Sequence, residues 1–199
     1  MGNRAEPGPG PAAFFREAGS GPSVVCLHSN ASSSGQWRAL MERLAPGFRV
    51  LAPDSYGAGK SPAWPTERPV RLSDEAALLE AAFARAGDPF ALVGHSYGAA
   101  VALIAAVAQP HRVRALAFYE PAPLEAFAAL DVPVLYMTGK NSPASSTGVA
   151  RLLTRVLPRV EVVQFEGLGH MGPVTHPEVV NEAISRFLER SGVKQESGF

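Results

Sequence analysis

An apolar run of strand character, Phe90–Val93, passes through Gly94-His95-Ser96-Tyr97-Gly98 into a helical stretch, Gly98–Gln109, made almost wholly of small apolar residues. A strand that turns this sharply into a helix strains the residue at its apex. It also projects that residue, Ser96, above the edge of a sheet. Glycines two positions to either side let neighbouring backbone approach closely. Five further apolar runs, Ser23–Ser29, Phe48–Ala52, Val113–Tyr119, Val132–Thr138 and Val160–Phe165, share the same strand character. Helical spacing separates most of them, over Gly35–Leu44, over Ser73–Ala86 with Ser73 as the expected cap, over Ser145–Leu157 and over His176–Arg190. Strands alternating with helices imply crossover connections and a parallel sheet, and strands buried on both faces read as continuous apolar runs. The expected class is therefore α/β, a mostly parallel sheet with helices on both faces. Ligands of such sheets bind beyond the carboxyl ends of the strands.

Composition closes off other classes. Hydrophobic residues make up 46% of the 199 residues and charged residues 18%, enough to fill a core and unlike a disordered chain. Lys+Arg and Asp+Glu number 18 each, and no basic cluster occurs, which argues against nucleic acid as a partner. The single cysteine, Cys26, excludes an intramolecular disulfide and a cysteine-rich metal site, and its apolar run marks it as a buried thiol. No apolar stretch is long enough to span a bilayer, and the Gly/Pro-rich start lacks the core of a signal peptide. The expectation is a cytoplasmic protein with a small-molecule substrate and no membrane association. Residues 14–190 are expected to form a single domain, with 1–13 and 191–199 as flexible termini.

A serine hydroxyl needs a base within hydrogen-bond reach, and the base needs an orienting acid. Of the five histidines, His95 lies inside the turn with its side chain expected to point away from that of Ser96. His28 ends the first buried strand, His111 leaves a helix, and His176 begins one. His170, in Gly169-His170-Met171-Gly172 just after the last strand, is the best-placed base. Among the carboxylates between Ser96 and His170, Asp131 and Glu161 lie near strand starts, Glu125 lies in a connection, and Glu166 shares the loop of His170. Glu120 follows Val113–Tyr119 at a carboxyl end and is the best acid on topology. Backbone N–H donors for a tetrahedral oxyanion would come from Tyr97 and from the small polar loop after the first strand, where Asn30 or Ala31 can turn inward.

These landmarks together resemble the α/β-hydrolase family: Leu27-His28-Ser29, Ala52-Pro53-Asp54-Ser55-Tyr56-Gly57, the Gly94–Gly98 turn, Pro133–Gly139 and Gly169-His170, in that order over nearly all of 14–190. The resemblance implies the α/β-hydrolase fold, Ser96 as nucleophile, His170 as base, and Asn30 and Tyr97 as oxyanion donors. It implies a structural role for Asp54 and the Gly57/Gly59 turn. The chain departs from the family in three places. The first loop reads His28-Ser29 where the family usually has His-Gly. Ser142 stands where the usual acid follows the penultimate strand; some members carry the acid one strand earlier, at the position of Glu120. Only Pro121–Leu130 lies between Glu120 and Asp131, so no sizeable cap domain is expected and the site should be open.

The expected function is a serine hydrolase cleaving a small carboxylic ester, thioester or lactone through an acyl-enzyme, using a Ser-His-Glu triad with no metal or organic cofactor. The resemblance implies that dehalogenase and epoxide-hydrolase branches need an aspartate where Ser96 stands. Carbon–carbon bond hydrolysis and cofactor-free perhydrolase chemistry use the same triad, and a non-catalytic ligand-binding member keeps the fold alone. Trp37, Tyr56 and Met171, with Trp64, Tyr97 and Phe127, are the expected pocket residues.

Overall fold

The computed structural model describes residues 12–64, 71–121, 131–143, 146, 149, 151 and 157–192. Its centre is one seven-stranded sheet: β1 (Phe15–Ala18), β2 (Ser23–Leu27), β3 (Arg49–Pro53), β4 (Phe90–His95), β5 (Val113–Tyr119), β6 (Val134–Gly139) and β7 (Val160–Phe165). The spatial order is β1-β3-β2-β4-β5-β6-β7. All neighbours run parallel except β1, which pairs antiparallel with β3. The strand order reverses between β2 and β4, which makes their carboxyl ends the switch point of the sheet.

Side chains alternate across the sheet and build two cores. In β4, Phe90 and Leu92 face one core while Ala91 and Val93 face the other. The first core takes Leu78 from α2 (Leu72–Leu78), Phe83 from α3 (Glu80–Ala86) and Leu103 from α4 (Tyr97–Ala108). The second takes Leu40 and Leu44 from α1 (Arg38–Leu44) and Ile184 and Leu188 from the last helix. That helix, α6 (Pro177–Arg190), follows a single turn, α5 (Gly172–Thr175). Helices thus cover both faces, as the alternation of the sequence requires.

Several boundaries differ from expectation. The edge strand β1 carries Arg16 and Glu17, so nothing in its polarity marks it; beside the backbone ladder, Glu17 pairs with Arg49 of β3. The stretch expected as one helix is two, divided at Leu79, where a tightened turn accompanies burial of both Leu78 and Leu79. Ser73 is exposed and does not cap it; the N-cap is Arg71, whose N–H donates to Asp74 at 2.9 Å. Ala13, expected in a loose end, is buried and donates its N–H to Leu78. Gly192 likewise accepts from Arg114. Of the helix expected over 145–157, Ser146, Val149 and Arg151 are helical and most of the remainder lies outside the described residues, as do Glu125 and Phe127. No helix among the described residues is long and apolar enough to cross a membrane.

Candidate active site

Ser96 stands between β4 and α4 with φ 52° and ψ −113°, a strained conformation for a residue with a side chain. The strain is held by close packing. A Cβ on Gly98 would lie 2.3 Å from the Leu27 carbonyl oxygen, and one on Gly94 would lie 2.5 Å from Ala99 Cα. The Ser96 N–H also donates to the Tyr119 carbonyl at 2.9 Å, so the turn is fastened to β5.

The loops after β4, β5 and β7 bring three side chains together. His170 Nε2 lies 3.0 Å from Ser96 Oγ, and His170 Nδ1 lies 2.7 Å from Glu120 Oε2. Because a carboxylate accepts, Nδ1 carries the proton and Nε2 presents its lone pair to the serine hydroxyl. The array can therefore take a proton from Ser96 and stabilise the cation that results.

Glu120 is buried and fully committed to acceptance. Its Oε1 receives Thr138 Oγ1 at 2.9 Å, the Gly139 N–H at 2.9 Å and the Ser142 hydroxyl, and its Oε2 receives Ser146 Oγ at 3.1 Å as well as His170. Burial pushes the carboxyl up, but the bonds from Ser142, Gly139, His170 and Thr138 outweigh it and hold the group below its ordinary range. Ser142, the position where the resemblance would put an acid, instead donates its hydroxyl to Glu120. The other described carboxylates stay apart: Glu166 pairs with Lys140 and Glu161 with Arg190, both on the surface.

Two buried histidines fix the surrounding loops. His28 Nδ1–H donates to the Ser29 carbonyl at 2.8 Å and its Nε2 accepts the Ser55 N–H at 3.0 Å. His95 Nε2–H donates to the His170 carbonyl at 2.8 Å, while its Nδ1 accepts from Gln36 Nε2 at 3.1 Å. Gln36 Oε1 in turn accepts the N–H and the hydroxyl of Ser29, each at 3.1 Å. Burial holds His95 well below the ordinary imidazole range, at about 4. Sequence reasoning gave no role to Gln36 or His95. Their partners lie 59 and 75 residues apart along the chain, so no local pattern marks them.

The loop after β2 places Asn30 and Ala31 beside Tyr97, all three lining a cavity of about 780 Å³. Ala31 N–H is taken by Asn30 Oδ1 at 3.2 Å. Among the described residues, the N–H groups of Asn30 and Tyr97 are not committed elsewhere. Asp54, at 1% exposure, holds the neighbouring loops by accepting from Ser34 N–H at 2.6 Å and Lys60 N–H at 3.0 Å. Tyr56 and Trp64 line the cavity as expected. Trp37 does not: at 1% exposure it packs in the second core among Leu40 and Leu44, because its helical turn faces the sheet. Met171, at 44% exposure, lies on the surface beside His170 and outside the cavity lining.

A family model described as the alpha/beta hydrolase fold matches residues 22–130. The chain belongs to this family. Similar curated proteins include a haloalkane dehalogenase of Mesorhizobium japonicum, 40% identical over 109 residues, which take in 53% of this chain and 34% of that enzyme. Lipase LipV of Mycobacterium tuberculosis is 40% identical over 106 residues, 52% of this chain and 39% of the lipase. The similarity thus spans well under half the length of either relative. Among solved structures, a marine microorganism esterase has a TM-score of 0.80 at 16% identity, covering 89% of this chain and 100% of that one. A thermophilic esterase from Thermogutta terrifontis gives a TM-score of 0.78 at 20% identity, over 90% and 93% of the two chains. These structures share the α/β-hydrolase fold. By name, these relatives and structural neighbours are a dehalogenase, a lipase and two esterases.

Proposed function

We propose that this chain is a serine hydrolase that cleaves small carboxylic esters, thioesters or lactones through an acyl-enzyme. The observation that carries this reading is the 3.0 Å approach of His170 Nε2 to Ser96 Oγ, with Nδ1 of the same ring 2.7 Å from Glu120. In this mechanism His170 Nε2 takes the Ser96 proton as Oγ attacks the substrate carbonyl carbon. Glu120 holds the imidazole in the competent tautomer and stabilises its cation. The oxyanion is held by the N–H groups of Asn30 and Tyr97, in preference to Ala31, whose N–H is already bonded to Asn30. Nε2–H then protonates the leaving alcohol or thiol and the acyl–serine ester remains. Water loses a proton to Nε2, attacks that ester, and releases the acid as the proton returns to Ser96.

The similarity to dehalogenases supports a second reading, and the elbow residue weighs against it. Displacement of halide by a serine oxygen would leave an alkyl ether. An ether has no carbonyl for water to attack, so the enzyme would stop after one turnover, whereas a carboxylate nucleophile forms an ester that water can open. Hydrolysis of a graded set of p-nitrophenyl esters by wild type and Ser96→Ala, with labelling by a serine-directed phosphonate, tests the proposal. Ser96-dependent cleavage and labelling are expected. A wild type that neither cleaves the esters nor takes up the phosphonate would return the chain to a ligand-binding role.

A further inference from the structure

Among the described residues that line the cavity beside the proposed oxyanion donors, one side chain is formally charged, and the mechanism does not use it. Glu75, on α2, is at 3% exposure and lines the cavity with Tyr56, Trp64, Leu72 and Tyr97. Its Oε1 accepts the Tyr97 hydroxyl and its Oε2 the Tyr56 N–H, both at the long distance of 3.2 Å. A carboxylate offers about four acceptor positions, so acceptor capacity remains. No described Lys or Arg forms an ion pair with it. Among the described lining residues, the other titratable groups are His28, which is uncharged because its Nε2 accepts from Ser55, and the two tyrosines.

A buried carboxylate without a cation is costly, and a ligand that brings the cation removes the cost. The aromatic surroundings suit the same kind of group. Tyr56 and Trp64 meet edge to face with ring centroids 4.6 Å apart, and Tyr97 is held to Glu75 through its hydroxyl. A carboxylate and aromatic rings lining one cavity attract an ammonium group more than a neutral one of equal size. Burial also pushes the Glu75 carboxyl above its ordinary range, against the Tyr56 and Tyr97 hydrogen bonds.

We propose that Glu75, with Tyr56, Trp64 and Tyr97, forms a subsite for an ammonium group on the substrate, so that the ester hydrolysed is a cationic one. This rests on the Ser96 reading. Asn30 and Tyr97 line the same cavity as Glu75, so an ester whose carbonyl their N–H groups hold would extend one end toward it.

Paired esters that differ only in nitrogen against carbon provide the test. Acetylthiocholine is compared with S-(3,3-dimethylbutyl) thioacetate for the leaving-group side. Phenyl 4-(trimethylammonio)butanoate is compared with phenyl 5,5-dimethylhexanoate for the acyl side. In at least one pair the cationic member should show a kcat/KM about tenfold or more above its neutral twin. Glu75→Gln should bring that ratio close to one, and the ratio cancels whatever the substitution does to the elbow through Tyr97. Tetramethylammonium should inhibit wild type competitively. Ratios near one in both pairs, or a preference unchanged in Glu75→Gln, would overturn the subsite while leaving ester hydrolysis intact. Should Glu75→Gln not fold, the wild-type ratios and the tetramethylammonium inhibition decide alone. Failure to cleave any of the four esters would overturn the subsite, and the Ser96 reading falls with it when the p-nitrophenyl esters and the phosphonate also fail to react.

Discussion

His95 Nε2–H donates to the main-chain carbonyl of His170 at 2.8 Å, so the residue just before the proposed nucleophile holds the loop of the proposed base. Gln36 extends the tie to Ser29, next to Asn30. The base and the oxyanion loop are thereby referenced to one buried ring. Replacing His95 with Phe removes the donor to the His170 carbonyl and the acceptor for the Gln36 amide N–H. We expect kcat to fall about 10–100-fold with little change in KM, since small misplacement of a positioned base costs rate rather than binding. His95→Gln, which keeps an N–H donor, should recover part of the loss. Equal kcat in wild type and His95→Phe would remove this positioning role.

Glu120→Gln keeps the shape of the acid and removes its charge. The imidazole cation loses its partner and the tautomer is no longer enforced, so turnover should drop by up to about 10⁴-fold. Steady-state kinetics on any ester that wild type cleaves would show this. Undiminished turnover would dismiss Glu120 as the orienting acid.

Ser142→Ala removes a single donor from a carboxylate that retains Thr138, Gly139, Ser146 and His170. Its effect on rate should be about tenfold at most, far below that of Glu120→Gln. The lost bond favoured the charged form, so the Glu120 carboxyl should titrate at higher pH in the variant. Carbon NMR of the labelled carboxyl reads this directly, and an unmoved midpoint would count against the assignment.

Acid should destabilise the fold in a defined window. An unfolded imidazole titrates near about 6.5, whereas the buried His95 does so only at about 4. Between these values the unfolded chain binds the extra proton, so unfolding free energy declines as pH falls from roughly 6.5 to 4, by up to about 3 kcal/mol for this group. Above that window this group adds no pH dependence. His28, lowered by burial in the same way, acts in the same direction. Urea midpoints at pH 7 and pH 5 should separate more for wild type than for His95→Gln; an equal separation would show that His95 is not the source.

Much of this arrangement was legible in the residues because it rests on local signals. Val113–Tyr119 and Val160–Phe165 coincide with β5 and β7, since strands show as short runs rich in apolar and β-branched residues, broken here only by Arg114, Glu161 and Gln164. Glu120 was recoverable because carboxyl ends of strands are where such sheets place chemistry. What escaped was non-local. The strand β1 is an edge whose register is set by its pairing with β3, far along the chain. Gln36 and His95 read as incidental polar residues until the fold brought β2, β4 and the loop after β7 together. Glu75 sits beside the apolar face of its helix, and only the approach of Tyr56 and Tyr97 turns it inward. Trp37 failed in the opposite sense, since an indole near a polar loop looks like a pocket wall and here closes the core.

Cys26 lies fully buried in β2, and burial alone pushes its thiol far above the ordinary range. The unmodified protein is therefore blind to maleimides and iodoacetamides while it stays folded. A cysteine introduced at an exposed position such as Met171 would be the single reactive thiol, reporting from beside the proposed base. Fluorescent or spin probes can then follow that loop during turnover without first building a cysteine-free background.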